Sequence, residues 1–234
     1  MDETWRYVHV LALKLDAAWR RLPADVQASE AEQFQRAAEA AAERVRTFTY
    51  STVGMRADCD LLLWRLGPSI EALEETAAGL LITGMGRSMT VAYSMTGMVR
   101  PSQYVKKPTV QEQAMFEGRR QRYLIVYPFV KTADWYLLDR DERQRLMNEH
   151  MRVGHRYPMV QQLLAYSFGM DDQEFIVAYE TDDLPAFQDL VYALRMTEGR
   201  RYTVRDTPIL LGIHRPLRAI LTLLGAPASA EVRA

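Results

Sequence analysis

Cysteine is nearly absent: Cys59 is the one thiol in 234 residues. A single thiol excludes an internal disulfide, a zinc site built on thiolates and an iron–sulfur cluster held by this chain alone. Any metal must therefore be held by His, Asp or Glu, or arrive inside a cofactor. An excess of either charge is missing too. The 29 basic and 30 acidic residues nearly cancel and lie interspersed, which leaves no basic stripe to follow a phosphate backbone, so nucleic acid is not an expected partner. No apolar run is long enough for a membrane span, and the N-terminus MDETWRYVHVLALKLDAAW carries acids where a secretory leader carries bases. The expectation is a cytoplasmic chain with no membrane partner. A Gly-rich phosphate loop, a nucleophile elbow and an HExxH pattern are absent as well.

What is there is a core and a repeat. With 48% of positions apolar, the chain can bury one or two domains. RYVHVLALKLDAAWRRL, from Arg6, matches RYLIVYPFVKTADWYLL, from Arg122: Tyr7 falls on Tyr123, Lys14 on Lys131 and Trp19 on Trp135, at an offset near 116 with one residue of slippage. Further on, Tyr50-Ser51 meets Tyr166-Ser167 and Gly54-Met55 meets Gly169-Met170. Each half opens on an alternating apolar strand (residues 5–15 and 122–131) followed by a helix (29–46 and 139–153). Two strands come next (47–53 with 60–66, and 160–168 with 173–180), then a second helix (69–81 and 183–194) and a last strand.

Strand, helix, strand, strand, helix, strand is the ferredoxin-like unit. The expected fold is therefore α+β, with two tandem ferredoxin-like units at 1–97 and 122–213 whose sheets form a barrel-like core. Residues 98–121 hold two prolines and seven charges with little periodicity and read as a linker. Residues 214–234 read as a short amphipathic helix and a frayed tail.

Chemistry narrows to histidine. Of His9, His150, His155 and His214, His150 stands out because its helix places Leu146 and Met147 on the same side, an apolar surround that suits a haem face. A neutral imidazole could ligate iron there, provided another group accepts its second ring proton. Tyr127, Phe129 and Lys131 point to one face of a predicted strand, opposite Pro128 and Val130. Spacing alone makes that face an aromatic core with a lysine reaching out past it.

The run YPFVKTADWYLLDRDERQRLMNEHMRVGHRYPMV, with SFGMDDQEFIVAYETDDLPAFQDLVYAL and RMTEGRRYTVRDTPILLG, resembles the C-terminal half of the chlorite dismutase family over about residues 122–212. The N-terminal half resembles it only as the degenerate repeat. The resemblance implies a dimeric α+β barrel made of the two units, a homopentamer, and one iron porphyrin, haem or Fe-coproporphyrin III, in the C-terminal unit. His150 in MNEH falls at the iron-ligand position. Glu198 in RMTEGRR falls on the carboxylate that accepts the ligand's ring N–H, and Lys131 and Trp135 in KTADW fall on pocket-lining positions.

Chlorite-degrading members carry an arginine on the strand after the ligand helix; this chain reads VQQLLAY there, and Gln162 is the nearest match to the glutamine of the haem-synthesis branch. That branch also carries a tyrosine four residues before the pocket lysine, matched by Tyr127. The implied activity is oxidative decarboxylation of Fe-coproporphyrin III to haem b by hydrogen peroxide, with Tyr127 abstracting hydrogen. Lys106 and Lys107 are candidate propionate contacts, and no histidine lies between Met98 and Tyr127 to act as a distal base. The rival expectations are a family member with weak peroxidase activity or a haem-handling role, and a barrel that binds no cofactor.

Overall fold

The computed structural model describes residues 6–100, 104 and 119–227. Two compact units emerge, residues 1–96 with 212–234, and residues 97–211.

The first unit runs β1 (Tyr7–Leu15), α1 (Ala24–Ala41), β2 (Arg46–Ser51), β3 (Leu61–Gly67), α2 (Ile70–Leu81) and β4 (Met89–Met98). Its strands lie in the order β4-β1-β3-β2. The second runs β5 (Tyr123–Lys131), a short α3 (Ala133–Leu137), α4 (Arg140–Gly154), β6 (Gln161–Tyr166), β7 (Phe175–Thr181), α5 (Leu184–Arg195) and β8 (Thr203–Arg205), with strand order β8-β5-β7-β6. Within each unit the order is thus fourth, first, third, second, as in a ferredoxin-like sheet. β9 (Leu210–His214) and α6 (Leu217–Leu223) close the chain.

Most boundaries fall within two or three residues of the expectation, but α1 starts earlier than 29 because Pro23 serves as its N-cap. Proline has no N–H to leave unsatisfied and a φ already suited to a helix start. The short amphipathic helix expected after residue 214 is α6: Leu217, Ile220, Leu221 and Leu224 lie in the core of the first unit with Leu11, Leu13 and Phe34. Their spacing makes one apolar helix face, and that face is buried.

Both units share a clasp. In the first, Asp60 Oδ2 accepts from the backbone N–H of Leu15 at 3.1 Å; in the second, Glu174 Oε2 accepts from the backbone N–H of Lys131 at 2.7 Å. Each strand then enters a turn capped by Asp16 or Thr132 and closed by a buried tryptophan, Trp19 or Trp135. The structural counterpart of Lys131 is therefore Leu15, one residue beyond the Lys14 that sequence matching selects. Lys14 lies on the opposite face of β1 and its ammonium bonds to Asp60 at 3.0 Å.

The units differ in what fills the space between sheet and helices. In the first, Leu11, Leu13, Leu15, Leu61 and Leu63 meet Ala31, Phe34 and Leu80 with almost no exposure, the close packing of an ordinary core. In the second, the corresponding residues Tyr127, Phe129, Lys131, Phe175 and Val177 are only half-buried. The packing gap lies in this unit.

Candidate functional site

The gap is a cavity of about 290 Å³ between the sheet of the second unit and α4 and α5. Strand register fixes its floor. β7 pairs antiparallel with both β5 and β6, so Val177 stands between Tyr127 and Leu164, and Phe175 between Phe129 and Tyr166. Tyr179 stands between Ile125 and Gln162. Residues directly opposite one another point to the same side, so this face is apolar and aromatic apart from Tyr127, Tyr179, Gln162 and the hydroxyl of Tyr166. The rings of Phe129, Tyr166 and Phe168 all pack on Phe175, with centroids 4.9–6.3 Å away.

Helix α4 supplies the other wall. Asp139 caps it by accepting from the N–H of Glu142 at 2.8 Å, and Leu146, Met147, His150, Met151 and Gly154 line the cavity. No hydrogen bond to the His150 ring forms among the described residues. Burial, and next the charge of Lys131, push its pKa down to about 4 against the opposing pull of Glu149. The imidazole is neutral at physiological pH, with a lone pair available to a metal. His155 also borders the cavity, but it is exposed at the helix C-cap.

The lining is rich in cations: Arg100, Lys131, Arg195 and Arg200, against Asp206 as the one acid among the described lining residues. Asp206 Oδ2 accepts from Arg195 at 2.8 Å and from Arg200 at 2.7 Å. Lys131 Nζ donates to the Gly199 carbonyl at 3.4 Å and lies over the Trp135 ring; burial and then Arg200 lower its pKa to about 8, opposed by Glu174. No carboxylate pairs with this ammonium among the described residues. Such a cavity suits an aromatic ligand bearing several anionic groups. Tyr127 also opens onto a second cavity of about 680 Å³ beneath α5, which shares Val191, Arg195 and Asp206 with the first.

Of the residues that sequence reasoning selected, the fold gathers Tyr127, Lys131, Trp135, His150 and Gln162 around one cavity. It does not bring Glu198 to His150. Glu198 sits in the helical turn before β8, its backbone N–H donates to Glu149 Oε2 at 3.1 Å, and its half-exposed carboxylate accepts from Arg145 at 2.8 Å. The guanidinium on the outer side of α4 draws the carboxylate away from the cavity. Lys106 and Lys107 lie outside the described residues. Sequence reasoning missed Tyr179, Arg195, Arg200 and Asp206. For Tyr179 the alternation in FIVAY was available, placing it on the same face as Phe175 and Val177; the other three come from the end of α5, the turn that follows it and the residue just past β8.

The site therefore belongs to a class in which a helix-borne histidine faces an aromatic, cation-rich cavity in an α+β unit. The sequence model of the chlorite dismutase family matches residues 27–215, and the chain belongs to that family. It is 34% identical over 165 residues to the coproheme decarboxylase of Mycolicibacterium smegmatis, which covers 70% of each chain. Among solved structures it is similar to an arginine-to-lysine variant of the chlorite dismutase of Candidatus Nitrospira defluvii (27% identity, TM-score 0.86, covering 94% of this chain and 95% of that one). The same enzyme in complex with imidazole gives 26% identity and TM-score 0.84, covering 94% and 95%. No helix among the described residues is long and apolar enough to cross a membrane.

Proposed function

We propose that this protein is a coproheme decarboxylase, which uses hydrogen peroxide to convert two propionates of Fe-coproporphyrin III to the vinyl groups of haem b. The observation that carries this reading is the pairing, in one cavity, of the His150 imidazole and the Lys131 ammonium, neither bonded to a carboxylate among the described residues, with the phenol of Tyr127 on the same wall as the lysine. Those groups fit an iron porphyrin bearing carboxylates. The curated relative from M. smegmatis carries the same activity in its name, and β6, which reads QQLLAY, holds no arginine of the kind expected for chlorite.

His150 would hold the iron, which supplies the oxidising equivalents drawn from peroxide. Each propionate that becomes a vinyl group loses CO2, a proton and two electrons; one peroxide takes up those electrons with two protons and leaves as two waters. Lys131 would hold a propionate carboxylate, with Trp135 shaping the same end of the cavity. Tyr127 would be the hydrogen-abstracting group: burial holds its pKa well above the ordinary phenol value, so it rests as a hydroxyl, and it would take hydrogen from the propionate side chain only after giving up its own hydrogen atom, a one-electron oxidation that the iron porphyrin and peroxide would supply. The Gln162 amide, on the sheet wall, would hydrogen-bond peroxide. Glu198 would reach His150 only by leaving Arg145, and the role of ring N–H acceptor has no occupant among the described residues. We extend the reading to a cytoplasmic homopentamer, tested by sedimentation of the loaded protein.

The decisive experiment is mass spectrometry of the porphyrin before and after peroxide. A three-propionate intermediate followed by haem b supports decarboxylation; unchanged or bleached coproheme leaves a haem-handling or peroxidase role. A Soret band that appears on adding coproheme and is lost in His150→Ala excludes the cofactor-free barrel.

A further inference from the structure

Tyr179 is a buried phenol, 4% exposed, in a place where phenylalanine would fill the same space. Its ring packs on Phe187 at 5.3 Å and faces Tyr127 at 6.3 Å between centroids, inclined by 34°. A buried phenolic O–H needs a partner, and the polar side chain beside the Tyr179 ring is the phenol of Tyr127, with which it interacts. Register extends the relationship across the floor of the cavity. Tyr179 is directly opposite Gln162 on β6 and, through Val177, two residues from the position opposite Tyr127 on β5. Tyr127, Tyr179 and Gln162 thus form a polar line across a face otherwise made of Ile125, Val177 and Leu164.

A phenolic O–H turns freely about its C–O bond unless something accepts from it or donates to it. The phenolic hydrogen must leave toward the oxidant before the bare oxygen can abstract, so both steps depend on where the O–H is held, and small displacements there are costly in rate. Tyr127 stays protonated in this environment, so the direction of its O–H is a matter of hydrogen bonding alone.

We propose that Tyr179 is a positioning residue for Tyr127: its hydroxyl fixes the orientation of the Tyr127 hydroxyl and ties it to the Gln162 side of the cavity. This rests on the reading of Tyr127 as the hydrogen-abstracting group. Phenylalanine at position 179 would leave the packing intact and the Tyr127 hydroxyl unrestrained.

The test is Tyr179→Phe in the full chain, first without porphyrin. With tyrosine isotope-labelled at Cζ, the signal lost in Tyr127→Phe identifies Tyr127. That signal shifts in Tyr179→Phe while the other tyrosine signals keep their places; an unmoved Tyr127 signal overturns the proposal. With coproheme bound, affinity stays within about 2-fold of wild type and the first loss of CO2 slows about 10-fold, the scale of one lost hydrogen bond to a reacting group. The double variant Tyr127→Phe/Tyr179→Phe matches Tyr127→Phe alone, because a residue acting through Tyr127 has no further effect once that hydroxyl is gone. A double variant whose coproheme affinity or melting temperature falls below that of Tyr127→Phe gives Tyr179 a structural role instead and overturns the proposal. Wild type that yields no haem b rejects the decarboxylase reading itself; wild type and Tyr179→Phe of equal rate reject this inference alone.

Discussion

The ammonium of Lys131 lies 4.1 Å from the centroid of the Trp135 ring and has one hydrogen-bond acceptor, the Gly199 carbonyl. A cation over a π face without an anion is stabilised only in part, and its pKa falls to about 8. A propionate would complete it. Lys131→Met, which keeps the aliphatic stem, is therefore expected to weaken coproheme binding by about 10- to 100-fold, the range of a charge-assisted hydrogen bond. In wild type, affinity declines as pH rises through about 8 and the ammonium is lost; in the variant that decline is absent. Fluorescence-quenching titrations across pH check both.

His150 sets a dependence on pH that needs no ligand. Its pKa is lowered from 6.5 to about 4 in the folded chain, so between these values the unfolded chain binds a proton that the folded chain does not. Stability then rises with pH across that window and is lost as pH falls through it. Below about 4 both states are protonated and the loss is complete, on the order of 3 kcal/mol. His150→Gln removes this component: the difference in unfolding free energy between wild type and variant is flat above pH 6.5 and changes only on the acid side. A difference curve without that break would show that the ring is not enclosed as described.

Tyr127→Phe retains the ring that packs near Tyr179 and removes one hydroxyl. Fold, melting temperature and coproheme affinity are expected to stay close to wild type, while the three-propionate product disappears. Haem b formed at the wild-type rate would end the role assigned to Tyr127.

Glu198 is bonded to Arg145 at the surface, and exposed pairs of this kind contribute little to stability. Glu198→Gln is expected to leave the melting temperature unchanged and, with porphyrin bound, the ferric–ferrous potential as well. A raised potential would show that the carboxylate leaves Arg145 for the His150 ring on loading.

Strand alternation made Tyr127, Phe129 and Lys131 legible as one face, because the period of two is local. The helix of His150 was legible for the same reason, through Leu146 and Met147. The same alternation put Tyr179 on a face with Phe175 and Val177, but joining it to Gln162 and Tyr127 requires the register of β7 against two other strands, which long-range pairing decides. Arg195, Arg200 and Asp206 converge across a short turn that carries no periodicity. The five-residue α3 was too short to show a pattern, and Glu198 was placed by likeness to the family while its neighbour on α4, Arg145, decided its contact.

The clasp common to the two units bears on design. Because side chains alternate along a strand, the lysine at position 14 is spent on Asp60, whereas the one at the place equivalent to Leu15 faces a cavity. Opening the first unit would then need few edits: a lysine at Leu15, a smaller residue at Phe34 and a histidine on the inner stripe of α1. The closed half is a blank casting of the open one, and a second, independently tunable porphyrin receptor could be cut from it.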